Sequence, residues 1–106
     1  MNTSNIKNVG EADFDAAVKE GVKLVDFWAT WCGPCKMMGA VIEAKIVPAM
    51  PELEVIKVDV DSAPSIAARF NVMSIPTLLV MKNGEVVREF VGVTPPDQVM
   101  DAIKSA

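Results

Sequence analysis

The residues of this chain best suited to chemistry are two cysteines in the run Trp31-Cys32-Gly33-Pro34-Cys35-Lys36. At that spacing the two sulfurs can come within bonding distance, and Pro34 limits how far the pair splays. A zinc half-site fails for want of partners, since the chain holds two Cys and no His to complete a four-ligand shell. Haem attachment needs a His after the second Cys, where Lys36 stands. A purely structural disulfide would close too short a loop to stabilise much. Two inert buried thiols and a redox-active dithiol remain, and the setting favours the dithiol. The run follows an apolar, strand-like stretch and opens a helix. Cys32 therefore faces unpaired backbone N–H groups and the positive end of the helix dipole, which favour the thiolate. Cys32 is expected at the exposed tip and Cys35 one turn inside, as an attacking and a resolving thiol.

Asp26 is the second candidate. Side chains alternate along the run Val22 to Ala29, which puts Asp26 on one face with Leu24 and Trp28. Apolar neighbours raise a carboxyl's pKa by desolvation, which suits a proton acceptor for the second thiol. A satisfied polar residue, or a strand less buried than its composition suggests, is the alternative. Leu53, Val55, Lys57 and Asp59 share a face of another strand-like run, so the Lys57 ammonium either lies near Asp26 or snorkels to the surface. Pro76 opens a further strand in Ile75-Pro76-Thr77. Most bonds to proline are trans, and these residues alone predict trans here.

The composition limits what else the chain can do. With no histidine, the common general base and neutral metal ligand are absent. Ten Lys and Arg against fourteen Asp and Glu leave a net charge of −4, which disfavours phosphate backbones and anionic lipid, so no nucleic-acid or membrane partner is expected. The 106 residues, 51% hydrophobic and 23% charged, fit one domain, residues 1–106, around one core. No apolar run reaches the roughly 20 residues of a membrane span. The first ten residues lack a basic stretch followed by an apolar one, so a cytoplasmic protein is expected.

The elements that must position these groups follow from periodicity. A strand is expected around Asn5 to Val9, then a helix from Glu11 to Glu20 with Phe14, Ala17 and Val18 on one face and Gly21 as its cap. The apolar run Val22 to Ala29 reads as a strand buried on both faces. A second helix runs from Cys32 to about Val47 and stops before Pro48, whose ring would clash with the Ala44 carbonyl. Glu54 to Val60 alternates as a strand, and Ser62-Ala63-Pro64 starts a helix with Ile66, Ala67 and Phe70 inward. Thr77 to Met81 and Glu85 to Val91 form a hairpin through Asn83-Gly84, and Thr94-Pro95-Pro96-Asp97 opens a last helix burying Val99, Met100 and Ile103. The order βαβαβαββα implies an α/β fold, a mixed sheet with helices on both faces.

Taken in order, these segments resemble the thioredoxin family: Val25-Asp26-Phe27-Trp28-Ala29 leading into Trp31-Cys32-Gly33-Pro34-Cys35-Lys36, then Lys57-Val58-Asp59-Val60-Asp61, Ile75-Pro76-Thr77-Leu78, and Lys82-Asn83-Gly84-Glu85 with Gly92. The resemblance runs from about Phe14 to the C-terminus. It implies the thioredoxin fold, a central mixed five-stranded sheet flanked by four helices, and a general protein disulfide reductase with no cofactor or metal of its own. By the same resemblance Cys32 attacks a substrate disulfide and Cys35 resolves the mixed disulfide, leaving the Cys32–Cys35 bond. Asp26, through water and beside Lys57, helps take the Cys35 proton. The bond before Pro76 becomes cis, and Trp31, Gly33, Pro34, Val60, Ile75, Pro76, Val91 and Gly92 form a shallow apolar surface for substrate. Gly33-Pro34 is similar to the pair in reducing members. The implied partners are a thioredoxin reductase, drawing on a flavoenzyme or an iron–sulfur enzyme, and disulfide-containing proteins; the chain itself is expected to be a monomer. A specialised thiol oxidant or isomerase, or a redox-independent binding subunit, is the alternative. The sequence departs from the family where Gly39-Ala40 stands in place of the usual helix-kinking proline, which implies a weaker kink or one supplied by Gly39. Met37, Met38 and Met73 fall near the active end, as an adaptable surface or as core and rim.

Overall fold

Strand β2 (Val22–Trp28) is hydrogen-bonded on both sides, and this accounts for its nearly unbroken apolar run. The computed structural model describes residues 5–106. Within them β1 (Ile6–Asn8), β2, β3 (Glu54–Asp59), β4 (Thr77–Lys82) and β5 (Glu85–Val91) make one sheet in the order β1-β3-β2-β4-β5. The pairs β1–β3 and β3–β2 are parallel; β2–β4 and β4–β5 are antiparallel. The expected mixed five-stranded sheet is therefore the one observed.

Alternation along the central strands separates two apolar layers. Leu24, Val55, Leu78 and Val80 face one way, packed with Met38, Ile42, Ile46, Val99 and Ile103. Val25, Phe27, Ile56, Val58 and Leu79 face the other, packed with Phe14, Val18 and Ile66. The first layer is covered by α2 (Gly33–Val41) and its continuation, together with α5 (Pro96–Lys104); the second by α1 (Phe14–Val18) and α4 (Pro64–Arg69).

The second helix does not stop before Pro48. Helix α2 passes into a π-helical turn (Ile42–Ile46) and then into α3 (Val47–Ala49), which contains Pro48. The three segments form one rod, so the described residues hold four helical bodies. The Val47 N–H bonds to the Ile42 carbonyl, five residues back. Proline has no N–H to give, and in a regular α-helix its ring would press on the carbonyl four residues earlier. The wider π turn just before it relieves that conflict and lets the rod continue. The irregularity thus begins at Ile42, beyond Gly39, which sits in ordinary helix.

Other boundaries shift for local reasons. Residues 11–13 form a turn and α1 begins only at Phe14; Ser62 belongs to the turn closed by its N–H on the Asp59 carbonyl, so Ala63 precedes α4. Thr94 spends its hydroxyl on the Gly92 carbonyl, leaving Pro95 as the cap of α5. The hairpin turn follows expectation, with Asn83 and Gly84 at φ +52° and +84°. Its tip is tied to the end of α1 by two bonds, Asn83 N–H to the Gly21 carbonyl and Gly21 N–H to Asn83 Oδ1.

Candidate active site

Strand β2 ends at Trp28 and the chain turns directly into α2, with the Cys32 N–H on the Ala29 carbonyl at 3.2 Å. Cys32 is the residue that caps α2. Its backbone is extended, and its sulfur accepts the Cys35 N–H at 3.1 Å. Gly33 and Pro34 fill the first turn, where proline's missing N–H leaves no bond unmade. Cys32 and Cys35 are joined as a disulfide, their Cα atoms 5.2 Å apart. The same positive helix end that lowers a thiol pKa thus holds the sulfur of Cys32 directly. One expectation is corrected: Cys32 is not at an exposed tip. It is 4% exposed and Cys35 3%, because Ala29, Trp28, Val60 and Ile75 close around them.

Asp26 lies where alternation puts it, on the α2 side of the sheet with Leu24, and is 1% exposed. Its register partner on β3 is Lys57. Oδ1 has no hydrogen-bond partner among the described residues. Burial pushes its pKa up from 3.8 to about 6, and the nearby Lys57 ammonium opposes part of that rise. Lys57 does not snorkel outward. Its Nζ lies 4.6 Å from the centre of the Trp28 ring, a cation–π contact. It also lies 3.9 Å from where a Cβ on Gly39 would be, an ordinary contact distance, so the ammonium packs directly beneath α2. A cavity of about 290 Å³ opens there, between Gly39, Glu43, Asn8 and Lys57.

The Ile75–Pro76 bond is cis, as the family resemblance implies and against the reading from these residues alone. The Ile75 carbonyl oxygen sits 3.8 Å from Cys32 Sγ. Pro76 is buried, and its carbonyl accepts the Gly92 N–H at 2.8 Å, which binds this loop to the end of β5. Gly92 can follow because it takes φ +87°. Around the disulfide, Trp31 and Val91 are well exposed, Gly33 and Pro34 are exposed, and Val60, Ile75 and Gly92 are half-buried. Trp31, Val60, Ala67, Val72, Met73 and Ile75, together with Ser74, line a mostly apolar groove of about 390 Å³. Ala67 and Val72 had no signal in the sequence beyond their apolar character. Asp61 was missed as well. Its Oδ2 accepts the Trp31 indole N–H at 2.8 Å and so fixes the ring beside the groove. Met38 belongs to the core, fully buried, with its sulfur accepting the Thr94 N–H at 3.4 Å. Among the described residues no cluster of three Cys, Asp or Glu could hold a metal ion, and no helix is long and apolar enough to cross a membrane.

A dithiol delivered by a central buried strand to a helix N-terminus, beside a cis-proline loop, defines a thiol–disulfide oxidoreductase. A sequence model of the family described as Thioredoxin matches residues 5–105. The chain is 48% identical to the thioredoxin of Staphylococcus aureus (strain Mu50) over 98 residues, 92% of this chain and 94% of that one. Mitochondrial thioredoxin 3 of Saccharomyces cerevisiae in its oxidized form superposes with a TM-score of 0.85, at 32% identity over 97% of each chain. A chain from a structure concerned with thiol resolution in yeast mitochondrial 1-Cys peroxiredoxin, via glutathione and thioredoxin systems, gives 0.86 at 30% identity over the full length of both. The chain belongs to the thioredoxin family. Its activity is protein disulfide reduction through the Cys32/Cys35 pair.

Proposed function

We propose that Cys32 is the nucleophile, Cys35 the resolving thiol and Asp26 the acceptor of the Cys35 proton. The observation that carries this reading is the cap: the sulfur of Cys32 receives the Cys35 N–H in the first turn of α2. In the reduced protein that donor and the helix dipole stabilise the Cys32 thiolate. The thiolate attacks one sulfur of a substrate disulfide, and the displaced sulfur leaves as a thiol after taking up a proton. Cys35 then attacks Cys32 Sγ, the mixed disulfide breaks, and the second substrate thiol departs. Two electrons pass to the substrate and the Cys32–Cys35 bond is left. Asp26, poised near neutrality, takes the proton that Cys35 must lose, with Lys57 balancing the charge that forms.

Substrate docking falls to Trp31, Gly33, Pro34, Val60, Ile75, Pro76, Val91 and Gly92. The groove beside the disulfide and the Ile75 carbonyl next to Cys32 Sγ support that assignment. A thioredoxin reductase returns the two electrons. The chain works as a single domain, residues 1–106, and as a monomer. The cytoplasm, where thiols are kept reduced, is the compartment that suits a reductant of this kind.

Insulin reduction tests the roles. Cys32→Ser is expected to abolish turnover, whereas Cys35→Ser attacks but cannot resolve, and accumulates mixed disulfides visible on non-reducing gels. Wild-type turnover by Cys32→Ser, or no trapped adduct with Cys35→Ser, would overturn the assignment.

A further inference from the structure

The chain has seven methionines, and those described are buried very unevenly. Met38 and Met81 are enclosed in the core, and Met50 and Met100 are half-buried. Only Met37 and Met73 stand well out among the described residues, and both are at the redox end. Met37 follows Cys35 by two residues on α2. Met73, 85% exposed, is the barest large apolar side chain described and forms one wall of the groove with Trp31 and Ile75. The carbonyl of that same Ile75 lies against Cys32 Sγ. A partner that brings a disulfide to Cys32 along this groove must therefore pass the Met73 thioether.

We infer that Met73 is a peroxide-sensitive modification site, and that its sulfoxide weakens the docking of protein disulfides in the groove. The inference rests on the docking role proposed above. The reaction balances as it stands: the thioether sulfur attacks one oxygen of hydrogen peroxide, the O–O bond breaks and an S=O bond forms. The sulfur loses two electrons and the remaining oxygen leaves as water. An apolar, flexible side chain becomes a polar, chiral one. The new oxygen is well hydrated in the open groove, and an apolar segment laid over it must strip that water without offering a donor. Met38 and Met81 keep their sulfurs out of reach in the core. A peroxide signal is thus read at the surface that selects partners, separately from the dithiol that serves them.

The disulfide form is the one to treat, because its two cysteine sulfurs are already paired. It is exposed to hydrogen peroxide, and the added oxygens are located by peptide mass spectrometry. Insulin reduction is then followed with dithiothreitol, which recharges the dithiol and leaves sulfoxides in place. Oxygen is expected on Met73 well before Met38 or Met81. KM for insulin should rise about three- to tenfold with kcat little changed, the range expected for burying one imperfectly paired polar group. Within Met73→Leu, KM should be the same before and after treatment, while Met37→Leu should respond as the natural chain does. Two results would overturn the inference: an unchanged KM in protein carrying Met73 sulfoxide, or a full response in Met73→Leu. Trp31→Ala separates this from the docking reading itself. If Trp31→Ala leaves KM unchanged, the groove is not the docking site and both readings fall; if it raises KM while the sulfoxide does not, only the Met73 inference falls.

Discussion

Replacing Asp26 with alanine separates the stability lost by burying this carboxyl from its value to the chemistry. The group is almost wholly enclosed, and Oδ1 has no partner among the described residues. Its pKa of about 6, against an ordinary 3.8, lies roughly two pH units high. At about 1.4 kcal/mol per unit this corresponds to about 3 kcal/mol. The folded protein holds the proton more tightly than the unfolded chain does. Below about pH 4 both states are protonated and the group adds no penalty. As pH rises from there, the unfolded chain ionises first and folding loses ground, until the whole penalty is in place above about pH 6. Alanine carries no proton and so removes this slope. The smaller side chain leaves a void under α2, at about 1 kcal/mol. Asp26→Ala should therefore be about 1 kcal/mol less stable than the natural chain near pH 3.5 and about 2 kcal/mol more stable near pH 8. Urea titrations of the disulfide form across that range measure the difference. A difference that stays flat with pH, or an alanine variant weaker at pH 8, would refute the reasoning from burial. In turnover the same variant should slow Cys35 resolution near neutral pH, seen as a longer-lived mixed disulfide.

Other substitutions probe the parts around the site. Gly39→Ala should stabilise the fold by about 0.5–1 kcal/mol in urea titration, since Gly39 is helical and the nearest atom to the added methyl is Lys57 Nζ at 3.9 Å. A loss of stability would mean that Lys57 cannot yield. Asp61→Ala removes the acceptor of the Trp31 indole, so that N–H should exchange faster with deuterium while the urea midpoint moves little. Phe27→Ala, in the fully buried layer with Phe14 and Ile66, should cost about 3–5 kcal/mol.

The sheet and its two faces were legible because the alternation is strict. Leu24 and Asp26 fall on one side of β2, Val25 and Phe27 on the other, as a period of two requires. The redox pair and Asp26 were legible for a related reason: cysteines and a carboxylate are conspicuous inside apolar runs. What stayed hidden depends on contacts distant in sequence. The cis bond at Pro76 sits in a loop that meets Cys32 and Gly92, contacts the dipeptide Ile75-Pro76 does not encode, so only family resemblance anticipated it. Pro48 was read as a stop because the rule for proline assumes α geometry, and the π turn from Ile42 to Ile46 suspends that assumption. The burial of Cys32 was missed because Ile75 and Val60, which cover it, arrive from other strands and loops. Asp61 stood in the family-like run Lys57 to Asp61 with no role of its own, since a carboxylate after a strand is ordinary until an indole is found beside it.

The near-complete burial of both sulfurs has a consequence for how the protein behaves among many reactive thiols. A disulfide that protruded would be short-circuited by any small thiol that drifted past. Here the terminals are recessed behind Ile75, Val60 and Trp28, like contacts set below the face of a socket. A small free thiol gains nothing from the surface around them and has only a narrow line of approach, so it must be supplied in excess, as dithiothreitol is in the insulin assay. On the docking reading proposed above, a protein strand that fills the surround brings its own sulfur to the correct depth. On that reading the fold slows casual exchange as well as conducting electrons, and its selectivity lies in which plugs fit.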